Sequence, residues 1–288
     1  MIPPSLLSRL DRLSLVSRRR QMLPRHGERR SRARGSSLEF VDYRGYAAGD
    51  DLRWIDWNLY GRSNELFLKQ FEAERALAVH LLVDASRSMD YGTPNKLVLA
   101  RQVVAVLGYV GLVGFGEVSV AALSDEADLV FGPASGRSRA PALLAALGAV
   151  EPRGPTDLSR AVATYAHRRR TPGLAVLVSD LLSPTWEAGL RRLLAHRSEV
   201  VVLHVLAPEE LDPAPAEEVR LLDRETGRTV DVRLDRAALD RYRQRLGHWC
   251  GAIEALCARS GVRYQRLSTA TPLEEVVLER LTRGGILR

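Results

Sequence analysis

Cysteine is scarce in this sequence, which contains only Cys250 and Cys257 among its 288 residues. Two cysteines cannot form a disulfide framework or a four-cysteine zinc site, so small domains stapled in either way are excluded. The two lie seven positions apart, which places them on one face of a predicted helix. We therefore expect both to be small buried apolar side chains in a protein from a reducing compartment.

Long apolar runs are also missing. The longest covers 103–116, and its fourteen residues, four of them glycine, fall short of the roughly 18–20 that a membrane-spanning helix needs. The N-terminus shows no secretory pattern, because Arg9, Asp11 and Arg12 interrupt its apolar residues. These two absences predict a soluble, cytoplasmic protein.

The motifs of several enzyme classes are absent as well. The sequence contains no Gly-x-Gly-x-x-Gly spacing, Walker loop, Gly-x-Ser-x-Gly elbow or His-Glu-x-x-His pair. His80 and His204 lie within apolar runs, which is typical of hydrogen-bonded core histidines. Because no general base is evident, we predict no catalytic residue and expect a protein that is not an enzyme.

What remains is an ordinary globular composition, since 45% hydrophobic and 27% charged residues exclude a disordered chain or a low-complexity fibre. The formal net charge of +7 lies within 1–40, where ten arginines face three acidic residues, so 41–288 sums to zero. A neutral body thus carries a basic N-terminal arm over 1–37, with a short helix predicted at 5–23. Such an arm could contact nucleic acid, anionic lipid or an acidic protein face.

Apolar strands alternate with helical patterns from residue 77 onward. The strands over 77–83, 174–178 and 200–206 are almost continuously apolar, which is typical of parallel strands buried on both faces. The alternation predicts a doubly wound α/β domain over 77–288, with a mostly parallel sheet, helices on both faces and a hairpin insertion near 219–234. Ligands of such sheets bind beyond the carboxyl ends of the strands.

Five oxygen-bearing side chains are predicted at that edge of the sheet. Three alternate in the loop after the first strand, one precedes a helix, and one ends a later strand: Asp84, Ser86, Ser88, Thr156 and Asp180. Two carboxylates and three hydroxyls form an all-oxygen set, which suits a hard cation such as Mg²⁺ or Mn²⁺. Some of these groups would reach the ion through water, and a partner's carboxylate could complete its coordination. The alternative is that Ser86, Ser88 and Asp180 are only turn and cap residues.

This combination resembles the metal-ion-dependent adhesion site of von Willebrand factor A domains, over about 77–210. The resemblance implies that the five residues hold a divalent cation. Arg87 and Asp157, beside them, are predicted to contact a partner, and the alternative for Arg87 is contact with solvent alone. The sequence departs from the pattern at Leu181, because a glycine often follows the last aspartate in these domains.

The segment over 38–76 is rich in aromatic residues and Gly-Asp turns, and we expect a small β-rich subdomain there. Its pattern resembles the signature of the bacterial family called domain of unknown function 58, with the residues Tyr43, Arg44, Tyr46, Gly49, Asp50, Asp51, Arg53, Asp56 and Trp57. The acidic residues and Arg53 could form a turn and ion-pair network with Trp54 and Trp57 as a local core, or contact a partner directly.

That family resemblance implies an adaptor or assembly factor that works with a MoxR-type AAA+ ATPase and its client. Many family members carry two N-terminal membrane helices, which this sequence lacks. The leading hypothesis is therefore a non-enzymatic, metal-dependent protein-interaction module. Two alternatives stay open: a metal-dependent phosphoester hydrolase that uses the same site, and binding of nucleic acid or an anionic surface through the basic arm.

Overall fold

The computed structural model describes residues 2–17, 38–47, 50, 52, 55–73, 78–114, 116–169 and 171–288. The chain forms two compact units, of which the first contains Met1–Arg18 and Leu77–Arg288 and the second Arg19–Ala76. The strands are β1 (Leu38–Gly45), β2 (Phe67–Ala73), β3 (Ala78–Asp84), β4 (Glu117–Leu123), β5 (Ala127–Ala134), β6 (Leu174–Ser179), β7 (Glu199–Leu206), β8 (Ala216–Leu222), β9 (Thr229–Leu234) and β10 (Arg263–Ser268).

The helices alternate with these strands in the larger unit. They are α1 (Pro4–Leu10), α2 (Trp57–Ser63), α3 (Lys96–Val113), α4 (Ala140–Gly148), α5 (Leu158–Arg168), α6 (Trp186–Ala195), α7 (Pro208–Leu211), α8 (Arg236–Arg259) and α9 (Leu273–Glu275), the last continuing into a π-helical turn over Val276–Leu281. Asparagine or aspartate caps the start of α3, α5 and α8, as the sequence of each helix start favours.

The six-stranded sheet has the order β10-β7-β6-β3-β4-β5. Its first five strands are parallel, and β5 pairs antiparallel with β4 at the edge. After β3 the chain adds β4 and β5 next to it on one side, and then crosses over to add β6 on the other side of β3. The switch point therefore lies between β3 and β6, where open α/β sheets bind their ligands.

Strand β3 is buried along its whole length because both faces of the sheet are covered. Leu81 and Val83 pack into a cluster with α1, α3 and α4, whereas Leu82 belongs to a second cluster with α5, α6 and α8. This alternation follows from the period of two along a strand. The predicted doubly wound α/β fold with helices on both faces is confirmed.

Helix α3 is the one helix in the described part of the chain that is long and apolar enough to span a membrane. It extends beyond the predicted apolar stretch because Asn95 caps a start at Lys96. Most of its residues are buried inside the protein, between the sheet and α4, as in the core helix of any α/β domain. The cytoplasmic location stays a prediction.

The N-terminal helix is shorter than predicted. Helix α1 ends at Leu10, and the chain then runs extended so that Ser14 and Val16 donate backbone hydrogen bonds to Arg288 and Ile286. Tertiary pairing with the C-terminus thus ends a helix that periodicity would continue. Leu6 and Leu10 are fully buried in the main core, so this part of the predicted 1–37 arm belongs to the larger unit. Residues 18–37 lie outside the described residues.

The hairpin and the cysteines lie where the sequence predicts them. Strands β8 and β9 pair antiparallel as a separate two-stranded sheet, which accounts for the insertion near 219–234. Cys250 and Cys257 are free and buried on α8. His80 and His204 are buried and hydrogen-bonded.

The smaller unit contains the β1–β2 hairpin and α2.

Candidate metal centre

Two aspartates end the neighbouring strands at the switch point of the sheet. Asp84 is the last residue of β3 and Asp180 directly follows β6, and the two strands are hydrogen-bonded in parallel. Both side chains are almost fully buried. The topology therefore brings together the two carboxylates that the sequence predicted at this edge.

Three loops are joined around these aspartates. The backbone amide of Arg153 donates to Ala85 at 2.7 Å and that of Arg87 donates to Gly154 at 3.2 Å, which ties the loop before α5 to the loop after β3. The hydroxyl of Ser183 donates to the Thr156 carbonyl at 2.9 Å and ties the same loop to the one after β6. The predicted residues of all three loops thus share one edge of the sheet.

Asp84 is held by the groups next to it in the fold. Its Oδ1 accepts the backbone amide of Ser86 at 3.0 Å, and its Oδ2 accepts the hydroxyl of Ser179 at 2.5 Å. Burial and the neighbouring Asp180 carboxylate nevertheless raise the pKa of Asp84 to about 6. Two close carboxylates in a buried position create a negative potential that a cation would relieve.

The three hydroxyls belong to two loops that are joined at this edge. The Oγ atoms of Ser86 and Ser88 are 2.9 Å apart, because Ser88 lies in a short 3₁₀ turn that folds back over Ser86. Thr156 is buried directly before α5. Hydroxyl oxygens keep a free lone pair while they donate their proton elsewhere, so all three are able to ligate a hard cation.

Asp180 has an unexpected cationic partner. The buried ammonium group of Lys96 donates to Asp180 Oδ2 at 2.7 Å and to Glu210 Oε1 at 2.5 Å. The two carboxylates raise the pKa of Lys96 against the opposing effect of its burial, so it is positively charged. Asp180 Oδ1 also accepts the amide of Leu182 at 3.1 Å. Both oxygens of Asp180 are therefore engaged, so a metal at this edge would be held by Asp180 through water.

A buried histidine positions the backbone of Asp180. Its carbonyl accepts a hydrogen bond at 3.0 Å from Nε2 of His204, so that nitrogen carries the proton, and Nδ1 lies 2.7 Å from the Tyr264 hydroxyl. Burial lowers the pKa of His204 to about 4, which keeps the ring neutral.

Leu181 lies at the position where the resemblance leads us to expect a glycine. Its backbone adopts the left-handed conformation that favours glycine. Its φ of 56° lies in the left-handed region, which costs a non-glycine residue about 1 kcal/mol or more. The side chain is fully buried in the cluster with α5 and α6, and burying a leucine contributes about 2–3 kcal/mol. Burial outweighs the strain, so a leucine can occupy this left-handed position.

The two residues predicted to contact a partner, Arg87 and Asp157, differ in how their side chains are engaged. Arg87 is exposed next to the site, as a contact residue must be. Asp157 instead caps α5, where its Oδ1 accepts the amide of Arg160 at 3.0 Å and the hydroxyl of Thr185 at 2.8 Å. These bonds lower the pKa of Asp157. Its contact with a partner stays a prediction.

The chemistry of the donor set fits a divalent cation. No group of three or more His, Cys, Asp or Glu side chains with a metal-binding arrangement occurs in the described residues, and the predicted set contains only two carboxylates. Three neutral hydroxyls and two carboxylates suit Mg²⁺ or Mn²⁺ more than Zn²⁺, which prefers nitrogen and sulfur. The role of these residues as ligands stays a prediction.

Part of the predicted network of the signature segment lies within the described residues. Arg44 pairs with Asp50 at 2.9 Å, and Tyr43 donates to Asp56, which caps α2. Trp57 is not a core residue, as its side chain is 60% exposed on a helix without buried residues and packs edge-on against Tyr60. Tyr46 donates its amide to Leu66. Gly49, Asp51, Arg53 and Trp54 lie outside the described residues.

Sequence reasoning missed Lys96, Glu210 and Ser179. A signal for the first exists, because the sequence has 40 arginines but only two lysines, Lys69 and Lys96. One of those lysines, Lys96, begins a mostly apolar helix, where a charged side chain needs a buried partner. Glu210 carries no such signal, because it reaches the site from the separate turn after β7.

The strand order defines a doubly wound α/β domain with its ligand-binding edge at the switch point. The chain belongs to the family described as "Protein of unknown function DUF58", whose model matches residues 42–248. It is 30% identical over 247 residues to the uncharacterized protein Rv1480 of Mycobacterium tuberculosis, covering 83% of this chain and 77% of that protein. It is 34% identical over 113 residues to the uncharacterized protein MAV169 of Mycobacterium avium, covering 38% of this chain and 66% of that protein.

Solved structures similar to this chain include the conserved hypothetical protein BatB from Bacteroides thetaiotaomicron, with 15% identity and a TM-score of 0.45 over 73% of this chain and 98% of that one. A von Willebrand factor type A protein from Catenulispora acidiphila has 16% identity and a TM-score of 0.42, covering 75% and 43%. The manganese-loaded TRAP protein of Plasmodium vivax has 17% identity and a TM-score of 0.35, covering 44% and 56%. The fold class of this chain follows from its own strand order.

Proposed function

We propose that this chain is a non-enzymatic protein-interaction module whose binding depends on a divalent cation at the switch point of the sheet. The observation that carries the proposal is the gathering of Asp84, Asp180 and three hydroxyls at one buried edge, with an excess of negative charge. A bound cation would supply a positive centre for a carboxylate of the partner. The hydroxyls would hold the ion, and the two aspartates would orient its water ligands.

The exposed surface next to the site supports binding rather than turnover. Arg87 presents a cation beside the proposed centre and could bind a second acidic group of the partner. Both buried histidines of the sheet are engaged in hydrogen bonds and have pKa values lowered to about 4, so neither serves as a base at this edge. The proposed partner is a MoxR-type AAA+ ATPase or its client, with this chain as an adaptor or assembly factor.

Binding of that ATPase to the immobilised chain, measured with Mg²⁺ and with EDTA, tests the proposal. We expect binding in Mg²⁺ that EDTA removes and that Asp84→Asn reduces at least tenfold. Asp128→Asn is the matched control, since Asp128 is exposed and bound to Arg153 near the same edge. Equal binding in EDTA and Mg²⁺ would refute the metal dependence.

A further inference from the structure

A glutamate at the tip of the β8–β9 hairpin turns toward the candidate metal centre. All residues over 221–231 are exposed except Glu225, which is half-buried. The Thr156 hydroxyl donates to Glu225 Oε1 at 3.3 Å. Sequence reasoning gave this residue no role, because it lies 69 positions from Thr156 in the chain.

The electrostatics of Glu225 place it within the field of the site. Burial raises the pKa of its carboxyl, hydrogen bonds from Thr156 oppose that effect, and the negative charge of Asp180 adds to it. Asp180 thus interacts electrostatically with Asp84, Glu210 and Glu225, and the buried cation paired with it in the described part of the chain is Lys96. The carboxylate on the hairpin increases the excess negative charge that a metal ion would balance.

The tip of the hairpin is built to hold this side chain in place. Asp223 accepts the amides of Glu225 at 2.9 Å and Thr226 at 3.2 Å, which fixes the turn. Arg224 then donates to the backbone carbonyl of Asp90 at 2.6 Å and to its carboxylate at 3.0 Å. Asp90 caps the 3₁₀ turn that contains Ser88. The hairpin is thus attached to the same loop that supplies the predicted ligands.

Two hydrogen-bonded oxygen pairs at this edge also have spacings that neighbouring ligands of one ion would need. Adjacent ligands of an octahedral cation with bonds near 2.1 Å are about 3.0 Å apart. The Ser86–Ser88 pair, at 2.9 Å, and the Thr156–Glu225 pair, at 3.3 Å, both lie close to that spacing. A threonine that donates its proton to Glu225 also keeps a lone pair for the metal.

We propose that Glu225 is a further ligand of the metal centre, and that it occupies the coordination position that a partner's carboxylate must take. The inference rests on the proposed function and deepens it, because the partner then competes with a carboxylate of the chain itself. The hairpin is suited to withdraw. It is a separate two-stranded sheet. Both side chains of the Arg224–Asp90 ion pair that attaches it are exposed, so this pair contributes little free energy to holding the hairpin.

Titration with Mn²⁺ alone, followed by electron paramagnetic resonance and water-proton relaxation, tests this role. The first method gives the affinity, and the second reports how many water molecules the bound ion carries. In Glu225→Gln we expect about tenfold weaker Mn²⁺ binding and a higher relaxivity per bound ion, since water replaces the carboxylate. Acetate should lower that relaxivity in the variant but not in the wild type.

Two further variants distinguish failure of the Glu225 proposal from failure of the proposed metal centre. Glu218→Gln, an exposed position on the same hairpin, should bind Mn²⁺ like the wild type. Asp84→Asn should lose Mn²⁺ binding. If Glu225→Gln matches the wild type in affinity and relaxivity while Asp84→Asn loses binding, Glu225 is not a ligand and the proposed function stands. If the wild type itself binds no Mn²⁺, both proposals fall.

Discussion

At the scale of single residues, the site depends on how buried charges are paired. Lys96 is fully enclosed, and it neutralises Asp180 and Glu210 with short hydrogen bonds. An uncompensated buried charge is costly, so a buried ion pair matters most when one partner is removed. Lys96 thus fixes the position of Asp180 and lets two carboxylates approach each other without a metal.

Lys96→Met should destabilise the protein by about 3 kcal/mol, because it leaves two buried carboxylates without a cation. The free energy of unfolding from urea denaturation measures this loss. Val98→Met is the control, since Val98 is 47% exposed on the same helix and should change stability by less than about 0.5 kcal/mol. A loss below about 1 kcal/mol for Lys96→Met would show that the ion pair does not hold the site.

His80 should make stability depend on pH. Its Nε2 donates to the Thr171 carbonyl and its Nδ1 faces the hydroxyls of Tyr165 and Ser119, so the neutral ring is fully used. Burial lowers its pKa from 6.5 to about 4. Between these values the unfolded chain binds the extra proton and the folded one does not, so stability falls as pH falls, by about 3 kcal/mol in total.

Denaturation midpoints from pH 7 to pH 4.5 test that dependence. The wild type should lose stability more steeply than His80→Gln, whereas above pH 7 the slope should be the same in both. His248→Gln, at an exposed position of α8, should keep the wild-type slope. Parallel curves for His80→Gln and the wild type would contradict the assignment.

At the scale of elements, close contacts between helices position the loops of the site. Gly189 of α6 lies against Leu158, the first residue of α5, so closely that a Cβ would come within 2.7 Å of the Leu158 side chain and 2.9 Å of its backbone. Thr156 and Asp157 directly precede that residue. The approach of the two helices therefore sets where Thr156 lies.

Gly189→Ala should destabilise the protein by about 1–3 kcal/mol, because α5 and α6 must move apart. Gly251→Ala should instead stabilise it by about 0.5–1 kcal/mol, because Gly251 is exposed within α8 and a Cβ there meets nothing within 4 Å. Thermal unfolding of both variants provides the comparison. An unchanged or higher midpoint for Gly189→Ala would contradict the close packing.

Periodicity predicts the parallel strands and their helices well, since their apolar runs are buried on both faces. It misses β5, whose burial alternates irregularly at the edge of the sheet. It extends the N-terminal helix too far, because pairing of Ser14 and Val16 with the C-terminus cannot be read from local sequence. The five predicted site residues lie in loops at one edge of the sheet, which the alternation of strands and helices predicts. Lys96, Glu210 and Glu225 come from elements that only the tertiary fold brings near.

At the scale of the whole molecule, charge is unevenly distributed along the chain. The basic excess of +7 lies within 1–40, and the rest of the chain sums to zero. Within that neutral part, the switch-point edge is locally acidic among the described residues, with two buried carboxylates, two partly buried ones and the buried Lys96. An acidic, oxygen-lined edge on a rigid sheet is the arrangement expected of a cation-dependent contact.

Thermal stability with EDTA, Mg²⁺, Mn²⁺ or Ca²⁺, for the wild type and for Asp84→Ala, tests the central claim most directly. A metal that binds only the folded protein stabilises it by about 2.7 kcal/mol at 100 times its dissociation constant. We predict that Mg²⁺ and Mn²⁺ raise the wild-type midpoint over EDTA and leave the midpoint of Asp84→Ala unchanged. The same midpoint in EDTA and in high millimolar metal, or an equal rise in both proteins, would contradict a metal centre at Asp84.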